Sequence, residues 1–172
     1  RKPPPIYTIY LPTIAKQEYC VPKGFTDAVL VLDMSTSMYR LTSAGRKKHD
    51  AAIEAARLFV DQLQLDDAGD GVYDQVAVVG FNNEAWTATR LSHDRAAIDA
   101  ALTSLLGEIR EGTRLDLAFT EALRVIEGPE RRQTHRVAVI LLTDGLPNRI
   151  PLDELGTQEG TVLAAADRVK AI

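Results

Sequence analysis

The sequence predicts an α/β domain: a mostly parallel sheet with helices on both faces. Three observations predict it. Apolar runs at Ala28–Leu32, Val76–Phe81 and Val137–Leu142 have strand length and no alternation, as strands buried on both faces do. Between them lie segments with apolar residues at helical spacing. The order is strand, helix, strand pair, two helices, strand, helix, which is the order of crossover-linked parallel strands.

The first strand, Ala28–Leu32, runs into Asp33. The first helix spans Arg46–Leu63, with Ala52, Ala55, Ala56, Phe59, Val60 and Leu63 on one side. The second strand runs from Asp74 to Phe81. Glu84–Ser92 alternates and carries Trp86, Thr87 and Thr89, so it reads as an edge strand paired antiparallel across Asn82-Asn83. Helices follow at Asp94–Leu106, with Ile98, Ala101, Leu102, Leu105 and Leu106 inward, and at Leu115–Ile126. The latter buries Leu115, Ala118, Phe119, Ala122, Leu123 and Ile126 and stops at Gly128-Pro129. The fourth strand is Arg136–Leu142. A fourth helix spans Thr157–Ile172, with Val162, Ala166 and Val169 inward.

The chain has 172 residues, 45% apolar and 26% charged, enough for one hydrophobic core. A net charge of -4 argues against a nucleic-acid partner. Cys20 is the single cysteine, which excludes an intrachain disulfide and a cysteine zinc cluster. His49, His93 and His135 share no short spacing and read as surface or boundary residues. No apolar run reaches membrane-spanning length. Residues 1–24 hold five of the eight prolines by Pro22, with Ile6, Tyr7, Tyr10 and Leu11 among them. They read as an extended arm that packs on the body, or alternatively as a linker. The start lacks Met, so the natural start is expected upstream.

Chemistry concentrates where strands end. Asp33-Met34-Ser35-Thr36-Ser37 follows the first strand, and Thr143-Asp144-Gly145 follows the fourth. Ligands of open α/β sheets sit outside the carboxyl ends of strands. Two carboxylates aimed into one crevice repel unless a positive charge lies between them. Ser35, Ser37 and, from the loop before the third helix, Thr113 add neutral oxygens. The set is all oxygen, which suits Mg²⁺, Mn²⁺ or Ca²⁺.

This pattern, Asp33-x-Ser35-x-Ser37 with Gly112-Thr113 and Asp144, resembles the von Willebrand factor type A (VWA) domain and its metal-ion-dependent adhesion site. The resemblance covers Thr26–Ile172 and sets the domain at 25–172. It implies a Rossmann-like three-layer fold with one antiparallel edge strand. It implies a metal held by the Ser35, Ser37 and Thr113 hydroxyls, with Asp33 and Asp144 acting directly or through water. One coordination position would accept a Glu or Asp side chain of a protein partner. The function implied is cation-dependent adhesion or assembly, without catalysis. A structural domain with a vestigial metal site and a Mg²⁺-dependent hydrolase are the rivals. The hydrolase lacks a placed general base, a phosphate loop or a nucleophile elbow.

The remaining features have plainer readings. Asp33 and Asp144 alone read as turn caps, Thr113 as a helix N-cap, and Asp116 as a cap or solvent-facing residue. Asp66–Gly71 hints at a calcium loop but has Ala68 and Ala77 where ligands are required. Arg46-Lys47-Lys48 reads as a solvated helix start that could steer an acidic partner, and Glu130-Arg131-Arg132 as a charged loop. The family sheet has six strands and four are legible. A C-terminal truncation is therefore expected, with the arm, a second fragment or another copy covering the fourth strand. The lead-in and the resemblance point to an extracytoplasmic bacterial surface protein, with the cytoplasm as the alternative.

Overall fold

A computed structural model describes residues 24–66, 71–145 and 158–171. The arm expected over 1–24, with Cys20, lies outside them except for Gly24, as does part of the 66–71 loop. Four strands, β1 (Thr26–Asp33), β2 (Gln75–Phe81), β3 (Ala85–Ser92) and β4 (Arg136–Leu142), form one sheet in the order β3-β2-β1-β4. β1 pairs in parallel with β2 and with β4, and β2 pairs antiparallel with β3. The mixed sheet and its antiparallel edge are those expected from the sequence.

The helices are α1 (Lys48–Val60), α2 (Arg95–Ser104), α3 (Leu115–Ile126) and α4 (Gln158–Lys170). Alternation along β1 sorts them into layers. Ala28, Leu30 and Leu32 face Ile53, Ala56 and Val60 of α1 and Ile98 and Leu102 of α2. Val29 and Val31 face Ala118, Ala122 and Ile126 of α3, with Val162 and Val169 of α4 against the same cluster. β1 and β2 are buried on both faces, because each has a strand on both sides and a helix layer above and below. β4 is only half-buried, and among the described residues no strand lies beyond it.

Three helical stripes differ from their sequence readings: Leu106, read as inward in the second helix, is exposed and lies beyond the end of α2. α1 buries His49, Ile53, Ala56 and Val60, whereas Ala55 is exposed. Alanines carry little burial signal, so the larger Ile53 sets which side turns inward. In α4, Ala165 is 2% exposed and lies deeper than Ala166. His49 and His135 are also buried, contrary to the surface or boundary position read from the sequence.

Local bonds fix the element starts. Asp94 caps α2 by accepting from Ala96 N at 2.9 Å and Ala97 N at 3.2 Å. Asp74 accepts from Thr26 N and Gln64 N at 2.7 and 2.8 Å, tying the start of β1 to the chain leaving α1. At the same end of the sheet, fully buried Asp27 accepts from His135 Nδ1 at 2.7 Å, Arg131 Nη1 at 3.3 Å and Arg132 N at 2.9 Å. The charged loop at 130–132 is thus a half-buried anchor on Asp27. Among the described residues, no helix is long and apolar enough to cross a membrane.

Candidate metal centre

The carboxyl ends of β1 and β4 are adjacent because the two strands pair directly, Leu32 opposite Leu142. That register delivers Asp33 and the Thr143-Asp144 turn into one crevice. Ser35 N donates to Asp33 Oδ1 at 2.8 Å, and Thr143 Oγ1 donates to Asp33 Oδ2 at 2.6 Å. The loop then turns into a short 3₁₀ segment at Thr36–Tyr39. Ser35 holds the N-cap position of that turn, but its hydroxyl does not cap. It lies 2.9 Å from Ser37 Oγ, which in turn donates to Asp144 Oδ1 at 2.6 Å. Residues 107 apart in the chain therefore share one hydrogen-bonded string.

Thr113 reaches the same place. A Cβ built on Gly145 would stand 3.8 Å from Ser37 Oγ and 3.9 Å from Thr113 Oγ1, so both hydroxyls flank this glycine. The N-cap of α3 is Arg114 and not Thr113. Gly112 makes the approach with φ of 103°, where a Cβ would meet Asn83 Cβ at 2.8 Å. All five residues singled out from the sequence thus converge: Asp33, Ser35, Ser37, Thr113 and Asp144.

The loop carrying Thr113 is held by a residue the sequence offered only as a turn. Asn82 is buried, donates from Nδ2 to Glu108 O at 2.9 Å, and accepts at its own carbonyl from Arg114 N at 2.8 Å. It therefore grips both ends of the segment around Thr113. Arg110 N adds a 3.0 Å bond to Met34 O, beside Ser35. No local pattern marks Asn82, because its partners come from a loop that only the fold brings near.

The crevice is deep at one end and open at the other. Asp33 is fully buried, and Ser35 and Thr113 are each 2% exposed. The Asp144 side chain retains 12% exposure at the mouth. Burial pushes the Asp33 carboxyl above its ordinary value. Asp144 pushes the same way, against the opposing bonds from Thr143 and Ser35. Lys48, the first residue of α1, sends its ammonium to Asp144 Oδ2. The basic run at 46–48 is thus not wholly solvated. Nothing local signalled this, since the pair is 96 residues apart.

At the rim, Arg114 Nε and Nη2 donate to the two oxygens of Asp116 at 2.8 and 2.7 Å. Asp116 is paired and buried, not a cap or a solvent-facing group. Burial acts to raise its pKa, but the Arg114 bonds and backbone N–H groups outweigh it and hold the carboxyl below 3.8. A lowered carboxyl pKa contributes stability that is complete above the ordinary value and is lost as pH falls through the folded one. Asp116→Asn is therefore expected to cost roughly 1 kcal/mol at pH 7. The difference from wild type should shrink as pH drops below 3.8 in urea unfolding series. A gap that ignores pH would reject the pairing as its source.

The donor set is five oxygen-bearing side chains without sulfur or imidazole, two of them carboxylates partly cut off from water. That chemistry fits a hard divalent cation. Among the described residues, no group of three or more His, Cys, Asp or Glu side chains is placed to hold a metal.

The fold and crevice define an α/β domain with a cluster of polar side chains at the junction of two parallel strands. The chain belongs to the von Willebrand factor type A domain family, whose model matches residues 28–146. It is similar to an uncharacterized protein of Borreliella burgdorferi, 24% identical over 166 residues. That match covers 96% of this chain and 45% of the relative, so the chain spans under half of the relative's length. Its fold is similar to the vWF domain of the type V pili tip protein Mfa5 from Porphyromonas gingivalis. There the TM-score is 0.62 and the identity 21%, over 80% of this chain and 44% of that one. It is also similar to the PilB minor pilin from Streptococcus sanguinis, with a TM-score of 0.60 and 19% identity, over 80% and 34% of the two chains.

Proposed function

We propose that this domain is a non-enzymatic, divalent-cation-dependent protein-binding module, serving adhesion or assembly on the outside of a bacterial cell. The observation that carries the reading is the convergence of Asp33, Ser35, Ser37, Thr113 and Asp144 in the crevice at the carboxyl ends of β1 and β4. Ser35, Ser37 and Thr113 would hold Mg²⁺, or Mn²⁺ or Ca²⁺, through hydroxyls, with Asp33 and Asp144 supplying negative charge behind them. When bound, the ion supplies a positive site for the Glu or Asp side chain of a partner, because few charged ligands neutralise it. The pilus proteins of similar fold support the cell-surface setting, and the relative from Borreliella burgdorferi supports a bacterial one.

A second reading is a structural domain with a vestigial site, favoured by the Lys48–Asp144 pair, which already sets a positive charge against one carboxylate. Titration calorimetry separates the two. With Mn²⁺ the expected result is one saturable site. A short glutamate-containing peptide should then bind the ion-loaded protein and lose its binding in chelator. Absence of ion binding would leave the structural reading; peptide binding that ignores the chelator would remove the metal from recognition.

A further inference from the structure

We propose that Lys48 is a resident counter-cation of this centre: its ammonium holds Asp144 when no divalent ion is bound, and an ion must displace it to load. The inference rests on the metal-binding reading above.

The Asp144 carboxylate is divided between two partners. Oδ1 accepts from Ser37 Oγ at 2.6 Å, and Oδ2 accepts from Lys48 Nζ. Asp33 is held by neutral donors, Ser35 N and Thr143 Oγ1. Lys48 is thus the positive group set directly against the two-carboxylate pair in these contacts. Its neighbours go elsewhere: Arg46 pairs with Glu54, and Lys47 lies 5.4 Å from the Tyr39 ring centre.

The placement is built into the backbone. Lys48 N donates to Arg40 O at 3.0 Å, and Leu41 bridges to Lys47 in antiparallel fashion. The loop that carries Ser35 and Ser37 therefore folds back and delivers the start of α1 beside the crevice. The Lys48 side chain is 31% exposed, so it is not enclosed by the protein and can swing outward.

Electrostatics sets the consequence. A divalent ion held by Ser35, Ser37 and Thr113 and an ammonium on the neighbouring Asp144 would repel at short range. Loading therefore requires the ammonium to leave, and that cost lowers the affinity for the ion. In return, the carboxylate stays paired and pre-aligned while the site waits.

The test uses Lys48→Met, which keeps an unbranched apolar stem, and Lys48→Gln, which keeps a polar end. Both are titrated with MnCl₂ by calorimetry and melted in chelator. Removing the charge should tighten Mn²⁺ binding by about tenfold or more, and lower the melting temperature in chelator. Unchanged or weaker Mn²⁺ binding in both variants, with wild type binding normally, would overturn the role of Lys48. If neither wild type nor variants bind, the metal reading falls and this inference with it. If only the variants bind, Lys48 excludes the ion outright; the counter-cation role then stands while cation-dependent binding by the wild type does not.

Discussion

Asp33→Asn should leave the metal-free protein at least as stable as wild type and abolish its stabilisation by Mn²⁺ or Mg²⁺. The two halves pull in opposite directions, which makes the result diagnostic. Asp33 is fully buried at the end of β1, and burial together with Asp144 disfavours its charge. Asparagine keeps an oxygen for Ser35 N, now at 2.8 Å from Oδ1. Its amide can donate to the Thr143 hydroxyl, which now donates to Oδ2 at 2.6 Å. The substitution therefore retains the local bonds and removes a desolvated charge. The negative charge behind the hydroxyls goes with it. A ligand at one hundred times its dissociation constant stabilises by about 2.7 kcal/mol. For a domain of this size that is a shift of about 5–10 °C in wild type. The check is a pair of melts, in chelator and in saturating MnCl₂, on both proteins. Equal ion-induced shifts would show that Asp33 is a turn residue and no more.

Gly80→Ala should cost about 2–3 kcal/mol by overpacking, with no change of fold. Gly80 lies in β2 opposite Trp86 of β3. A Cβ there would stand 2.5 Å from Trp86 Cζ2 and 2.7 Å from Leu105 Cδ2, far inside van der Waals contact. The indole of Trp86 occupies the space that the glycine leaves open, and Leu105 closes it from beyond α2. Chevron or equilibrium urea unfolding measures the loss. A smaller side chain in place of the indole provides the control: in a Trp86→Leu background the added methyl should cost less, because the indole contacts are gone and only the one with Leu105 remains. Additive costs would locate the strain elsewhere.

Much of this domain was legible without coordinates. The boundaries of α3 and β4 are those read from periodicity, because each has strong apolar residues at unambiguous spacing. The five polar residues that meet at the carboxyl ends of β1 and β4 were also legible, since Asp33 and Asp144 each follow closely on an apolar run. Less was readable in α1, where alanines on several sides blur the stripe and Ile53 decides it. The charged segments were misread most. Lys48, Asp116, Arg131 and Arg132 all read as solvated or capping residues, yet each pairs within the fold.

The sequence by itself determined the α/β class, the positions of the three apolar strands and the residue types that follow β1 and β4, because apolar run length and residue type are local properties. Tertiary structure alone decided that Asn82 grips the Thr113 loop, that Asp27 is buried against His135 and Arg131, and that Lys48 reaches Asp144. Each of those bonds joins residues far apart in the chain. The partner of a charge or an amide is chosen by the sheet register and the loop path, neither of which leaves a trace in neighbouring residues.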